Sequence, residues 1–243
     1  MVLEINPIYQ KFLKNYGLDS FEAFWQAGRL FKGKKRRAIY HLFLGEKEFF
    51  LKKYFSIPFW QKNEALNEWE AAQRLLKARI KVPTPVALGI RQRGIKKEAF
   101  TLFLKAPGVR LEDLLGETPI LLKKLVPLLG AFSARFHKLG FTHQDFYLCH
   151  IFWDGNDFIL IDLQRLRWRQ RPPLAWLVKD IAELFYSASN VLKEDFSIFE
   201  KEFKKSYEAR LGREVGSSFW HKVRKKMAKI AHHDAKLKSR QKI

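Results

Sequence analysis

Cysteine is almost absent: Cys149 is the single one in 243 residues, so no internal disulfide can form and no oxidised scaffold holds the chain. Long apolar runs are missing too, because Lys or Arg interrupts each candidate before the roughly 18 residues that a bilayer-spanning helix needs. The opening MVLEINPIYQ lacks the basic-then-apolar order of a secretion signal, so a cytosolic chain is expected, with peripheral membrane contact as an option. Acidic side chains are few: 25 Asp and Glu face 46 Lys and Arg, a net charge of +21. Such a field attracts polyanions, whether nucleic acid, acidic lipid headgroups or a phosphorylated substrate. Apolar material is plentiful, at 47% hydrophobic and 15% aromatic with 22 Phe and 7 Trp, which excludes wholesale disorder. The length predicts one to two units around a shared core.

The first third reads as strands. Between Arg29 and Tyr54, short apolar runs are separated by the turn-like clusters GKKRR and GEKE, which predicts antiparallel strands over Leu30–Phe31, Ala38–Leu44 and Glu48–Phe55. Asn63–Ala78 places Leu66, Trp69, Ala72, Leu75 and Leu76 on one helical stripe, and KVPTP ends that helix by forcing extended backbone. Two more strands, Val86–Gly89 and Phe100–Lys105, flank the polar IRQRGIKKE, and Pro107–Gly108 reads as a hinge. Beyond it, helices are predicted over 111–115, 120–138 (kinked at Pro127), 174–189, 195–211 and 219–237, with a strand at Phe158–Asp162. The expected fold class is α+β and two-lobed: residues 1–106 form a small antiparallel-sheet lobe with one helix, and residues 107–243 a mainly helical lobe. The stretch from His221 to Ile243 carries nine Lys or Arg against one Asp, which fits a solvated helix or a contact with a polyanionic surface.

The chemistry concentrates in Phe141–Asp162, FTHQDFYLCHIFWDGNDFILID. His143-x-Asp145 is followed five residues later by His150, then by a DGND turn and an apolar strand ending in Asp162. Two carboxylates and an imidazole at loop edges suit phosphoryl transfer: one carboxylate orients the acceptor hydroxyl, and the other holds Mg²⁺ against nucleotide phosphates.

The words HQDFYLCHIFWD, IDLQRLRWR and WLVKDIAELFYSA resemble the lipopolysaccharide core kinases, the heptose/Kdo kinase group of Gram-negative bacteria, which have a protein-kinase-like fold. The resemblance runs from about residue 29 to 190 and is most specific over 141–186. It implies ATP and Mg²⁺ as cofactors, with the nucleotide lying between the lobes. Asp145 matches the catalytic aspartate, Asp162 the metal-binding aspartate of D-F-G (here D-L-Q), and His150 the position of a metal-binding Asn. Lys52 in Glu48-Phe-Phe-Leu-Lys52 matches the phosphate-gripping lysine, with Glu68 its helix partner. Gly28–Arg37 would be the phosphate-covering loop, including Lys34, and Phe103 and Lys105 would also contact the nucleotide. Asp180 would brace the catalytic loop from the following helix. The implied partners are a lipopolysaccharide core glycolipid and the anionic cytoplasmic face of the inner membrane, with nucleic acid not expected.

The sequence also departs from the kinase pattern. No G-x-G-x-x-G occurs in the first 55 residues, so phosphate donors must come from the basic turn Lys34, Lys35, Arg36 and Arg37. Gln144 replaces the Arg of H-R-D, which argues against activation by a phosphorylated loop, and Gln164 replaces the Gly of D-F-G, which argues against a flipping switch. His150 is a poorer Mg²⁺ ligand than an amide oxygen, so phosphate contact or bracing of Asp162 is its alternative role. His137, His143 and Cys149 read as structural, and the adjacent His232 and His233 point to different helix faces and make no metal site. Arg165, Arg167, Arg169 and Arg171 alternate; in a strand they would share one face and bind an anionic acceptor through their forks. The function expected is phosphorylation of a heptose or Kdo hydroxyl. The alternatives are a protein or other small-molecule kinase of this fold, and a catalytically silent basic module binding membrane or nucleic acid.

Overall fold

The structure, a computed structural model, describes every residue except 35, 59, 62, 213 and 241–243. Lys35 of the expected basic turn therefore lies outside the described residues. The chain divides into two compact units, Met1–Pro107 with Asp162–Arg165, and Gly108–Ile161 with Leu166–Ile243.

The first unit is built on β1 (Val2–Ile5), β2 (Arg29–Lys34), β3 (Arg37–Leu44), β4 (Lys47–Pro58), β5 (Pro85–Arg93) and β6 (Lys96–Leu104). They form one six-stranded antiparallel sheet in the order β1-β5-β6-β4-β3-β2. Side chains alternate across the pleat. Phe49 and Leu51 of β4 face a core shared with Phe100 and Leu102 and with α1 (Pro7–Asn15) and α2 (Phe21–Gln26), which contribute Leu13, Phe21 and Phe24. Lys52 and Tyr54 face the other way, and Tyr54 packs with Trp69 of α3 (Glu64–Lys77).

Local rules explain the helix ends. Asn6 caps α1 by accepting the Ile8 N–H, with Pro7 in the first turn; Ser20 caps α2 and Asn63 caps α3 in the same way. The buried face of α3 is Ala65, Glu68, Trp69, Ala71, Ala72 and Leu75. Leu66 and Leu76, placed by sequence on that stripe, are exposed instead, because the buried face turns far enough to take in the carboxylate of Glu68. β4, β5 and β6 also run longer than expected, since their polar ends pair across the β5–β6 hairpin and past a bulge between Tyr54 and Ile57.

The second unit holds α4 (Leu111–Glu117), α5 (Leu122–Lys138), α6 (Leu174–Leu192), α7 (Phe196–Leu211) and α8 (Ser217–Arg240). Short strands β7 (Val109–Arg110), β9 (Ile151–Trp153) and β10 (Phe158–Leu160) pair antiparallel in the order β10-β9-β7, and β8 (Phe141–Thr142) pairs with β11 (Arg167–Trp168). Asp154 closes the DGND turn by accepting the N–H groups of Asn156 and Asp157 at 2.9 and 2.8 Å. Phe136, Phe146, Phe185, Phe199, Phe203 and Tyr207 are fully buried and form the aromatic interior. Among the described residues no helix is long and apolar enough to cross a membrane.

Candidate active site

In the first unit the site is a partly buried ion cluster. Glu68 of α3, 2% exposed, accepts from Lys52 Nζ at 2.5 Å on one oxygen, and from Tyr54 Oη at 3.1 Å and Thr101 Oγ1 at 3.0 Å on the other. Lys52 and Thr101 sit opposite each other in the β4–β6 register, so the strand pairing aims both donors at the helix. Lys52 also donates to Asp162 Oδ1 at 2.9 Å. Burial works against the ammonium charge, but Glu68 and Asp162 outweigh it and hold the lysine above its ordinary range. Burial beside Glu68 pushes the Tyr54 phenol up as well, so it stays a donor.

Asp162 holds a left-handed backbone, φ +62°, a conformation that costs of order 1–3 kcal/mol in a non-glycine residue and marks functional positions. The next turn is tied down inside the same unit. Leu163 is buried, the Gln164 carbonyl accepts from Asn67 Nδ2 at 2.6 Å, and the Gln164 side-chain oxygen accepts from Arg37. Arg37 is thus committed to Gln164. The other expected nucleotide contacts lie on the same sheet: Lys34 is exposed at the β2–β3 turn, Phe103 is buried opposite Phe50, and Lys105 pairs with Glu48 at 2.6 Å. Lys105, and His41 after it, hold the Glu48 carboxyl below its ordinary range despite some burial.

In the second unit the loop carrying Asp145 is suspended from α6. Asp180, fully buried, accepts the His143 N–H at 2.7 Å on one oxygen and the Gln144 N–H at 2.8 Å on the other. One turn on, Glu183 accepts the Phe146 N–H at 3.1 Å; another turn on, Ser187 Oγ accepts the Leu148 N–H at 3.0 Å. Residues at i, i+3 and i+7 share a helix face, so three side chains collect the amides on both sides of Asp145. Lys179 donates to the Gln144 carbonyl and to Glu183. Burial pushes the Glu183 carboxyl up, against the pull of Lys179. Gln144 has φ +65°, so the residue just before Asp145 is also held left-handed.

The histidines take definite roles. His143 Nε2 lies 2.9 Å from the Ile161 carbonyl, and His150 Nδ1 lies 2.8 Å from the Asp145 carbonyl. A carbonyl only accepts, so each of these ring nitrogens carries its proton, and in a neutral His150 Nε2 is the lone-pair nitrogen. The His150 carbonyl accepts the Ile161 N–H at 3.0 Å, which fixes the approach of the chain to Asp162. His137 meets Tyr207 Oη at 2.8 Å in the interior.

The expected arginine ribbon does not form. Arg165 ends a 3-10 turn over Leu163–Arg165 in the first unit, because buried Leu163 and Leu166 demand a three-residue period there. β11 is only Arg167–Trp168, so the four arginines do not share a strand face; Arg167 and Arg169 alone converge, over the Trp176 ring at 4.8 and 5.1 Å. Glu183, Ser187, Thr101 and Tyr54 were not singled out from sequence. The signal for the first two was present: polar residues at helical spacing inside the otherwise apolar face of LVKDIAELFYSAS.

Residues 23–207 match the Lipopolysaccharide kinase (Kdo/WaaP) family. The chain is similar to the lipopolysaccharide core heptose(I) kinase WaaP of Pseudomonas aeruginosa, at 31% identity over 143 residues, 52% of this chain and 53% of that protein. It is also similar to 3-deoxy-D-manno-octulosonic acid kinase of Vibrio parahaemolyticus, at 26% identity over 147 residues, 59% of this chain and 60% of that protein. These matches span little more than half the length of those relatives. The structure described as "WaaP in complex with acyl carrier protein" superimposes with a TM-score of 0.71 at 24% identity, covering 94% of this chain and 99% of that one, and establishes a shared fold. With the family match extending over most of its length, the chain belongs to the lipopolysaccharide kinase (Kdo/WaaP) family.

Proposed function

We propose that the protein transfers the γ-phosphoryl group of ATP to a hydroxyl of heptose or Kdo in the lipopolysaccharide inner core. The observation that carries this reading is the Lys52–Glu68–Asp162 cluster in a chain of this family: a largely enclosed lysine held charged between two carboxylates. Lys52 grips the α- and β-phosphates while Glu68, satisfied by Tyr54 and Thr101, fixes its position. Asp145 orients the sugar hydroxyl and takes its proton late, from a loop whose flanking amides are fixed by Asp180, Glu183 and Ser187. Most of the acceleration then comes from positioning and charge neutralisation.

Asp162 supplies the hard oxygen donor that Mg²⁺ takes, on a backbone fixed by its left-handed turn, so the donor chemistry fits that ion. When bound, the ion neutralises charge on the transferring phosphate. His150 remains a brace of the Asp145 loop through its Nδ1–H and a ligand candidate through Nε2. Arg167 and Arg169, stacked on Trp176, offer guanidinium forks to an anionic sugar. Arg165 belongs to the turn after Asp162 and takes no part in that pair.

The test is incubation with ATP and Mg²⁺ and either deep-core lipopolysaccharide lacking core phosphate or a generic protein acceptor. Phosphate entering the glycolipid alone supports the reading. Phosphate entering the protein alone replaces it with a protein kinase, and none entering either, with ATP still bound, removes the inner-core sugar as acceptor.

A further inference from the structure

One face of α8 carries a single kind of charge. Lys222, Lys225, Lys229, His232 and Lys236 follow one another at spacings of three and four, so they form one line along the helix, and all are exposed. The line is about 21 Å long at 1.5 Å per residue. Opposite it, Phe219 and Val223 are buried against the rest of the unit. The helix's acidic residue is turned away: Asp234 accepts from Tyr186 Oη at 2.6 Å and pairs with Lys238 at 2.9 Å. Arg224 is committed to Glu200, with bonds of 3.0 and 2.9 Å. Among the described residues, none of Lys222, Lys225, Lys229 and Lys236 is paired with a carboxylate.

We infer that this lysine line docks the protein on an anionic phospholipid surface. A straight row of ammonium groups on a packed helix presents charge to a plane. The row has no large apolar side chain between its lysines, so it does not insert; it is held in the headgroup field, and salt weakens it. A nucleic acid is the poorer fit. Among the described residues, the row offers no Phe, Tyr or Trp ring for a base to stack on, only the small imidazole of His232, and no arginine fork for a phosphate; the rest are the point charges of lysine. Binding rests on this charge alone. Its use, bringing the enzyme to a lipid-anchored sugar, rests on the kinase reading above.

The experiment is co-sedimentation of the full chain with phosphatidylcholine vesicles, with and without phosphatidylglycerol, over a salt series. Two variants accompany it: Lys222→Gln/Lys225→Gln/Lys229→Gln/Lys236→Gln, and a charge-matched control, Lys11→Gln/Lys14→Gln/Lys201→Gln/Lys205→Gln, drawn from exposed lysines elsewhere. The native chain should bind only the anionic vesicles and lose binding as salt rises. Each lysine in the field is expected to contribute about fivefold, so the α8 variant should bind on the order of several hundredfold more weakly. The control should fall far less. Equal loss in both variants would show that net charge, not this face, does the work, and would overturn the inference. So would a native chain that ignores anionic vesicles, or one that binds RNA through these lysines and not lipid. Phosphate transfer to a detergent-solubilised acceptor is measured in parallel and should be unchanged in the α8 variant. Its absence in the native chain would refute the kinase reading and leave the vesicle result standing.

Discussion

Asp180→Asn separates the fold of the catalytic loop from its charge. The substitution keeps the size of the side chain and replaces one acceptor oxygen with a donor. In the native protein each oxygen is used, one by the His143 N–H at 2.7 Å and the other by the Gln144 N–H at 2.8 Å, at a position with no solvent exposure. Whichever way the amide turns, one buried N–H faces an NH₂ group. A hydrogen bond to a charged group contributes about 1.5–3 kcal/mol, and an orphaned buried donor costs about 1–3 kcal/mol. These overlap, so the loss is set at about 2–4 kcal/mol, which for a chain of this length lowers the melting temperature by roughly 5–15 °C. The orphaned amide adjoins Asp145, and a displacement of about 1 Å there would slow phosphate transfer about 100-fold. Calorimetry gives the first number and initial rates at saturating ATP the second. An Asn variant melting within about 2 °C of the native chain and turning over at its rate would refute the suspension of this loop from Asp180.

Other consequences are as direct. Glu68→Gln removes the charge that holds Lys52 protonated and in place; ATP affinity by calorimetric titration should fall about tenfold or more, the measure of at least 1.4 kcal/mol, and unaltered affinity would contradict the pairing. Lys53, on the opposite face of β4, is buried with its Nζ on the carbonyls of Trp25 and Ala27, and burial lowers it to about 8. The folded state therefore binds this proton less tightly than the unfolded chain, so its stability contribution is present above pH 10.5 and is lost as pH falls to about 8. Urea midpoints across that window should rise with pH in the native chain and rise less in Lys53→Met. Gly130 lets α5 approach α7 closely: an added Cβ would lie 2.1 Å from Ser206 Oγ and 2.7 Å from the Phe203 carbonyl. Gly130→Ala should cost about 1–3 kcal/mol by overpacking, read as a lower denaturation midpoint, whereas an alanine variant of native stability would show that the two helices part without cost.

Much of this architecture is legible in the residues because periodicity and punctuation agree. The turns GEKE and DGND, the break at KVPTP and the helical stripes of the second half all lie where the chain bends or coils. The segment before Arg29 gave no such signal, yet it forms β1, α1 and α2; its elements are short, and their stability comes from packing Leu13, Phe21 and Phe24 on the sheet rather than from their own pattern. The arginine ribbon failed for a related reason. Period two is a strand only if the residues between are accommodated, and burial of Leu163 and Leu166 instead winds the start of that segment into a 3-10 turn. Glu183 and Ser187 have no motif because their role depends on a loop from another part of the chain docking on α6. Spacing alone does not separate Glu68 from Glu64 and Glu70 on the same helix; burial does, with Glu64 and Glu70 exposed and Glu68 enclosed by Lys52, Tyr54 and Thr101.

Phosphate transfer itself is read by following phosphate from ATP into phosphate-free lipopolysaccharide core by mass spectrometry, with the native chain beside Asp145→Ala and Asp162→Ala. Phosphorylated glycolipid from the native chain, and none above background from either variant, is the predicted result. Phosphorylation at the native rate by either variant would contradict the assignment of these two carboxylates and the mechanism built on them.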